Sequence, residues 1–436
     1  MKKTNARATY ALDSMALPLP YAPVSKSSPL VFRLMVTLKE EIDPAVLEQA
    51  VRDLAPRFPI MYTRLRRGFL WGQLEDAADC VAVRRDEGYA CRPFEIYKEE
   101  EALLRVLYRE RGIAVECSHL TCDGYSGTVY LNSLAARYLE LRSYAIEKSC
   151  NVLDCRDRPA EGELEDSYWA AYRRMPKRHN GMVAPPAFQC LQERKPDYLQ
   201  VTRLDIPIDK LKRLIAEQYA GCSITQYLCA VYAYAFLQLY EKNPNPKKPV
   251  RLSVSTNLRN FWDTRSLRNF VGMTHVRVEM GRRDYGFRDV LAVVRGEMEE
   301  RLTREKQLEL VCQNLRHLDS FAAKLVPGFV KQAGISLVLP LARRFWWPHT
   351  STISNVGYIR LPPSLSKHIE SYVFHIGEMD ACRITCAAAG VNNTMALVFS
   401  AVNESTVIQD FCADFLRREG LISTQPSRSS ISATPR

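Results

Sequence analysis

Several motifs that mark common classes of enzyme are absent from this sequence. Its thirteen cysteines form no CxxC pair and no pairs at zinc-finger spacing, which argues against a structural zinc site or a dithiol redox site. It has no glycine-rich phosphate loop of the Walker or Rossmann type, and Ser126 and Gly127 do not complete the G-x-S-x-G elbow of a serine hydrolase. We therefore expect no bound metal and no permanently bound cofactor.

The sequence also lacks any block of five or six like charges. Its 60 Lys and Arg residues exceed its 49 Asp and Glu residues, which gives a formal net charge of +11. The basic residues are spread along the chain, in pairs such as Arg66-Arg67 and Arg343-Arg344. Proteins that bind nucleic acids usually carry clustered basic residues, so we expect no nucleic-acid partner here. The excess fits either the steering of a phosphate-bearing substrate or a solvated basic surface.

One uncharged stretch, residues 220–240, is long enough to cross a membrane. Ser223, Thr225, Gln226 and Gln238 interrupt it, and Ser223 suits a helix N-cap, so we predict a helix buried in the protein core. The polar amino-terminal stretch MKKTNARATYALDS has no apolar h-region, so no signal peptide is expected. Reduced thiols in a cytoplasmic protein are the simplest account of the cysteines.

The length of 436 residues favours two domains. We predict an amino-terminal lobe over 1–155, a proline-rich and charged linker over 156–197, a carboxy-terminal lobe over 198–422 and a disordered tail over 423–436. Each lobe alternates strands and helices, which predicts an α/β architecture with mixed sheets, flanking helices and a site in the cleft between the lobes. Residues 325–348 mix apolar and basic side chains and fit a packed helix, a pocket wall or, at most, a peripheral membrane contact.

Periodicity of the apolar residues predicts the individual elements. Strands are predicted at 30–38, 61–65, 69–74, 103–110, 113–120, 198–205, 250–255, 273–280, 372–376, 384–389 and 395–402. Helices are predicted after Asp43, after Gly124, after Asp209, over 223–240 and over 406–418.

The strongest local signal is CSHLTCDGYSG, residues 117–127, which contains His119, Asp123 and Gly124. His119 lies at the end of a predicted strand, and a helix is predicted just beyond Gly124. A side chain at a strand end is well placed to face a cleft, and Gly124 would permit a tight turn that a residue with a Cβ could not make. A neutral imidazole there can take a proton from a hydroxyl or an amine near pH 7. A histidine packed in the core is the competing interpretation.

This segment resembles the HxxxDG motif of the chloramphenicol acetyltransferase-like superfamily, which includes condensation domains and several acyltransferase branches. Three further segments resemble the alcohol acetyltransferase branch, and in order they lie at residues 45–75, at 255–272 (STNLRNFWDTRSLRNFVG) and at 351–362 (STISNVGYIRLP). The resemblance spans about residues 10–418. Ser118 stands where condensation domains usually carry a first histidine, and the DFGWG segment of the plant branch is absent.

The resemblance implies a role for each matching residue. His119 matches the general base, and Asp123 matches a structural aspartate that pairs with an arginine, for which Arg259 is the first choice and Arg268 the alternative. Ser354 and Asn355 match the SNxG segment, where their polar groups could face the acyl oxygen. A plain turn formed with Gly357 is the alternative interpretation of that pair.

The resemblance also implies the reaction and its partners. Acyl-CoA would serve as co-substrate and would pass its acyl group directly to a small-molecule alcohol or amine, with no acyl-enzyme. A carrier protein is the alternative acyl donor. A relative that binds ligands without catalysis remains a third hypothesis, which the intact His119, Asp123 and Gly124 disfavour.

Overall fold

We describe the fold from a computed structural model, which describes residues 7–21, 30–173, 186–189, 198–239, 248–279, 285–319, 325–345, 349–377 and 382–432. The strands are β1 (Thr9–Ala11), β2 (Val31–Leu38), β3 (Thr63–Arg66), β4 (Gln73–Asp76), β5 (Val83–Arg85), β6 (Leu104–Arg109), β7 (Gly112–Ser118), β8 (Tyr198–Pro207), β9 (Val250–Asn257), β10 (Val271–Val278), β11 (Ser351–Tyr358), β12 (Ile369–Ile376), β13 (Ile384–Val391), β14 (Thr394–Ala401) and β15 (Ser427–Ser432). The helices are α1 (Pro44–Leu54), α2 (Gly124–Leu141), α3 (Ser167–Tyr172), α4 (Ile208–Gln218), α5 (Ile224–Gln238), α6 (Phe287–Arg301), α7 (Arg304–Asp319), α8 (Gly328–Phe345), α9 (Pro363–Ser366) and α10 (Val407–Arg418).

Two large mixed sheets carry the fold. One has five strands in the order β12-β2-β7-β6-β5, and the other has seven in the order β10-β9-β11-β13-β14-β8-β15. A smaller sheet joins β1, β4 and β3. Most pairs are antiparallel, but β5 runs parallel to β6, and β11 runs parallel to both β9 and β13. The predicted α/β class with mixed sheets and flanking helices is confirmed.

Local signals account for the helices next to the site and in the core. The Asp43 side chain accepts hydrogen bonds from the backbone N–H groups of Ala45 and Val46 and so caps α1. Ser223 and Gln226 form a reciprocal capping box at the start of α5. Most of α5 is buried, as predicted for residues 223–240. Among the helices that the structure describes, none has the length and apolarity that a membrane crossing needs.

The strand predicted at 372–376 lies in the other sheet from the one that chain order suggests. β12 belongs by sequence to the carboxy-terminal half, but it pairs antiparallel with β2, with Phe374 opposite Leu34. The boundary drawn at residue 198 therefore does not separate the two large sheets. Pairing depends on backbone groups that any strand offers, so apolar periodicity predicted the strand without predicting its partner.

The structure also differs from the expected linker and tail. Within the expected linker over 156–197, Asp166 caps the short helix α3, while residues 174–185 and 190–197 of that linker lie outside the described residues. The segment Ser427–Ser432, polar except for Ile431, forms β15 along the free edge of β8, where a disordered tail was expected. An open sheet edge offers hydrogen-bonding partners even to a sequence with few apolar residues. Strands β1, β5 and β11 were also missed, because they are short or lack a two-residue alternation.

Residues 325–348 include the surface helix α8. Its first residue, Gly328, donates a backbone hydrogen bond to the carbonyl of Phe69 at 2.8 Å. Lys331 Nζ donates to the carbonyl of Leu70 at 2.8 Å. Phe329 and Leu337 are exposed, so this helix packs only through part of its surface. Residues 346–348 lie outside the described residues.

Candidate active site

His119 lies directly after β7, the central strand of the five-stranded sheet. Its backbone N–H donates to the carbonyl of Leu30 at 2.8 Å, just before β2 begins. Its ring lies 5.0 Å, centroid to centroid, from the ring of Phe32. The histidine is partly buried, whereas Ser118 and Leu120 on either side are buried. The strand end thus holds the backbone of His119, and the residue as a whole stays partly exposed.

Asp123 points into the protein and accepts four hydrogen bonds. Its Oδ1 accepts from the backbone N–H and the hydroxyl of Ser126, both at 3.0 Å, which caps α2. Its Oδ2 accepts from Arg259 Nη1 at 2.7 Å and from the backbone N–H of Phe270 at 2.8 Å. Burial alone would raise the pKa of this carboxyl, but the Arg259 charge and the hydrogen bonds outweigh it and lower the pKa. Asp123 is therefore a fixed anion.

Arg259 and Arg268 have different partners. Arg259 forms the buried ion pair with Asp123, with side chains 8% and 3% exposed. Arg259 also donates to the carbonyls of Ser266 at 2.9 Å and Arg268 at 2.6 Å. The guanidinium of Arg268 instead lies 3.6 Å from Asp13 Oδ2 and donates to the carbonyl of Ala11 at 2.7 Å. Arg259 thus ties the 257–270 segment to the start of α2.

Gly124 is the first residue of α2, and the reason for a glycine there differs from the expected one. Its backbone does not adopt the left-handed conformation, so no turn requires it. A Cβ at this position would lie 3.3 Å from Val356 Cγ1 and 3.6 Å from Phe374 Cζ. Gly124 therefore allows β11 and β12 to pack closely against the start of α2. The expectation of a tight turn was wrong at this point.

Asn269 is a site residue that sequence reasoning missed. Its Oδ1 lies 3.3 Å from His119 Nδ1, and its Nδ2 donates to the carbonyl oxygen of His119 at 2.8 Å. The same Nδ2 lies 2.8 Å from Asp13 Oδ2. Asn269 belongs to the RNF part of the segment that carries the resemblance, which was the only available signal. Asp13 carried none, since it lies far away in sequence.

The ring of His119 stays neutral near pH 7. Burial lowers the pKa of His119 below its ordinary value of 6.5, and the contacts with Asn269 and the charge of Asp123 offset this only in part. A neutral imidazole has one nitrogen that can accept a proton. The electrostatic setting therefore suits a general base.

Gly127 and Phe32 were also missed as supports of His119. A Cβ on Gly127 would lie 2.7 Å from Phe32 Cε2 and 3.1 Å from Leu34 Cδ1. The glycine on α2 thus lets Phe32 of β2 reach the ring of His119. The second glycine in DGYSG was the available signal.

Ser354 and Asn355 both lie on β11, but their surroundings differ. The Asn355 side chain donates to Thr225 Oγ1 at 3.0 Å and accepts from the backbone N–H of Gly357 at 2.8 Å. Gly357 has a φ of +79°, so Asn355 stabilises a local turn. Ser354 is partly exposed and pairs with Ala387 in the sheet. Within the described residues, neither side chain hydrogen-bonds His119, Asp123 or Arg259.

A cavity of about 890 Å³ lies beside the β3–β4 turn and α3. Phe69, Trp71, Leu12 and Trp169 contribute apolar walls, and Arg268 contributes a charged one. This volume lies within the usual range of small-molecule sites. His119 is not among the described side chains that line it.

Comparison with known proteins places this geometry in a recognised fold. No protein-family profile matches the chain, and no curated protein sequence matches it either. Solved structures do match. Polyketide synthase associated protein 5 from Mycobacterium tuberculosis superposes with a TM-score of 0.62 and 16% identity, over 95% of this chain and 98% of that one. The first condensation domain of the CDA synthetase gives a TM-score of 0.60 and 14% identity, over 95% of this chain and 96% of that one.

An acetyltransferase is among the matches as well. The trichothecene 15-O-acetyltransferase from Fusarium sporotrichioides superposes with a TM-score of 0.58 and 11% identity over 96% of each chain. The chain has the fold of the condensation domains and chloramphenicol acetyltransferase-like enzymes. At identities of 11–16%, these superpositions establish the fold and nothing finer.

Proposed function

We propose that this protein is an acyltransferase that moves an acyl group from an acyl-CoA thioester to an alcohol or amine, with His119 as general base. The observation that carries the proposal is the arrangement at the end of β7. His119, a partly exposed residue whose imidazole is neutral near pH 7, follows that strand, and four residues later Asp123 forms the buried ion pair with Arg259. Such an arrangement aims a base without using the aspartate in chemistry.

The proposed reaction is a direct transfer. His119 takes the proton of the acceptor O–H or N–H as that atom bonds to the thioester carbonyl carbon. The tetrahedral intermediate then expels the thiolate, which takes the proton back from the imidazolium. Ser354 is the proposed donor to the oxyanion. Asn355 is kept in that role only as a weaker candidate, because its amide is engaged by Thr225 and Gly357.

We place the protein nearest to the alcohol acetyltransferase branch, on the strength of its 255–272 and 351–362 segments. The alternative donor is an acyl group on a carrier protein. The fold is shared with condensation domains, among them the starter condensation domain of rhizomide synthetase, whose mutant was solved in complex with C8-CoA and Leu-SNAC. The replacement of the first motif histidine by Ser118 favours CoA as donor for this chain.

The test is thiol release from a panel of acyl-CoA thioesters with mixed alcohol and amine acceptors. Wild type is compared with His119→Ala and with His368→Ala, a matched control whose ring packs on Tyr144. We expect acceptor-dependent release that falls by ~10²–10⁴-fold in His119→Ala and is unchanged in His368→Ala. Activity with carrier-bound donors alone would select the alternative donor. Full activity in His119→Ala would refute the proposed base, and no transfer with either donor class would favour a binding protein.

A further inference from the structure

Asn269 contacts His119 at two different places. Its Oδ1 lies 3.3 Å from the ring nitrogen Nδ1, and its Nδ2 lies 2.8 Å from the backbone carbonyl oxygen of the same histidine. Rotation of the ring about either side-chain bond would break the first contact, and movement of the strand end would break the second. One buried amide thus controls both the position and the orientation of His119.

The orientation of this amide follows from its other neighbours. On one side it faces Asp13 Oδ2 at 2.8 Å and the His119 carbonyl at 2.8 Å, two oxygens that can only accept while the Asp13 carboxyl is ionised, as it is at pH 8. The NH₂ group must therefore be on that side, because a flipped amide would place its oxygen against two acceptor oxygens and lose both of these hydrogen bonds. The amide oxygen is then the atom that faces His119 Nδ1.

An amide oxygen accepts hydrogen bonds and does not donate them, so its partner on the ring must carry the proton. We infer that Asn269 is a positioning residue that holds His119 in the tautomer with the proton on Nδ1, so that Nε2 is the nitrogen that accepts the acceptor's proton, and that Asp13 in turn fixes the orientation of Asn269. In a neutral imidazole, protonation of one nitrogen leaves the lone pair on the other.

Asp13 is built to hold this amide. It is fully buried, and its Oδ1 accepts from the backbone N–H of Ala16 at 2.9 Å. Its Oδ2 accepts from both the backbone N–H, at 3.2 Å, and the side chain of Asn269. Arg268 balances the charge of the carboxylate at 3.6 Å. A buried carboxylate that accepts from both donors of one residue allows that residue a single orientation.

The first arm of the test measures the tautomer itself, in the resting protein without substrate. Protein labelled with ¹⁵N in its seven histidines is examined at pH 8 by long-range ¹H–¹⁵N correlation, and His119 is assigned by its absence from the His119→Ala spectrum. We expect a protonated Nδ1 and an unprotonated Nε2 in wild type, and in Asn269→Ala a shift towards the opposite tautomer. A wild-type His119 protonated at Nε2, or an unchanged tautomer in Asn269→Ala, would overturn the inference.

The second arm rests on the proposed function, because it measures acyl transfer. Loss of the tautomer control in Asn269→Ala should lower kcat by about tenfold or more, but by no more than the ~10²–10⁴-fold expected when the general base itself is removed. The KM for the acyl donor should stay nearly unchanged. Asp13→Asn should lower kcat in the same direction. An effect on KM alone would contradict the positioning role.

Asn132→Leu is the matched control in both arms. Asn132 is a buried asparagine of α2 whose side-chain atoms have no partner among the described residues, so its loss should change neither the tautomer nor kcat. The two arms also separate the two proposals. If His119→Ala keeps full activity while the tautomer is as inferred, the proposed function fails and the inference about Asn269 stands.

Discussion

The buried pair between Asp123 and Arg259 offers the sharpest test of how the site is held. Arg259→Met removes the guanidinium and leaves the Asp123 carboxylate with three of its four donors, the two from Ser126 and the one from Phe270. It also removes the donor to the carbonyls of Ser266 and Arg268. Removing one partner of a buried pair costs about 3–5 kcal/mol, and we expect Arg259→Met to lower the free energy of unfolding by about that amount.

A double-mutant cycle isolates the pair from the rest of this loss. Asp123→Asn keeps an oxygen for the helix cap but leaves the Arg259 charge uncompensated, so it should also cost several kcal/mol, on the same basis. The double variant should cost less than the sum of the two, with a coupling of about 1–3 kcal/mol. The assay is urea denaturation followed by both tryptophan fluorescence and far-ultraviolet circular dichroism, so that coincident transitions can be checked.

Arg268→Met provides the matched control, because Arg268 lies in the same segment but pairs with Asp13. Its backbone carbonyl, which accepts from Arg259, is kept in this variant. Its cycle with Asp123→Asn should be additive within ~0.5 kcal/mol. A coupling near zero for Arg259, or a large one for Arg268, would refute the assignment of Arg259 as the residue that anchors Asp123.

Three further predictions follow from the same site. Because burial lowers the pKa of His119 below 6.5, the basic form persists as the pH falls, and the acid limb of the kcat/KM profile should lie below pH 6.5; a limb above that value would contradict the assignment. Gly127→Ala should displace Phe32, whose Cε2 lies 2.7 Å from the added Cβ, and should cost about 1–3 kcal/mol of stability with loss of activity. Gly296→Ala in α6, where an added Cβ meets nothing within 4 Å, is the control and should be neutral or slightly stabilising. Equal melting temperatures for the two variants would refute this prediction. Burial raises the pKa of Asp13 from 3.8 to about 6 despite Arg268, so the stability that Asp13 contributes is complete below pH 3.8 and is lost as the pH rises through 6. The unfolding free energy of wild type, measured relative to that of Asp13→Asn, should therefore fall by ~3 kcal/mol between those two pH values. A difference between the two proteins that does not change with pH would count against this prediction.

The sequence alone determined the features that depend on neighbours along the chain. Asp43 was predicted to cap α1 and Ser223 to cap α5, because capping and helical periodicity act over a few residues. The placement of His119 after a strand and of Asp123 before a helix came from the same short-range patterns. Resemblance to a known motif implied an arginine partner for Asp123, and the strand predicted just before Arg259 put that residue ahead of Arg268.

Tertiary structure decided everything that joins distant segments. Asn269 contacts Asp13, which lies 256 positions away in the sequence, and His119, which lies 150 positions away. No local sequence pattern relates these residues. β12 pairs with β2, and β15 with β8, through backbone groups that carry no sequence signal. Gly124 is a glycine because Val356 of β11 and Phe374 of β12, both distant in sequence, pack closely against it. The physical reason is that side-chain pattern specifies which elements form and which face is apolar, whereas the packing of the whole chain selects the partners of each element.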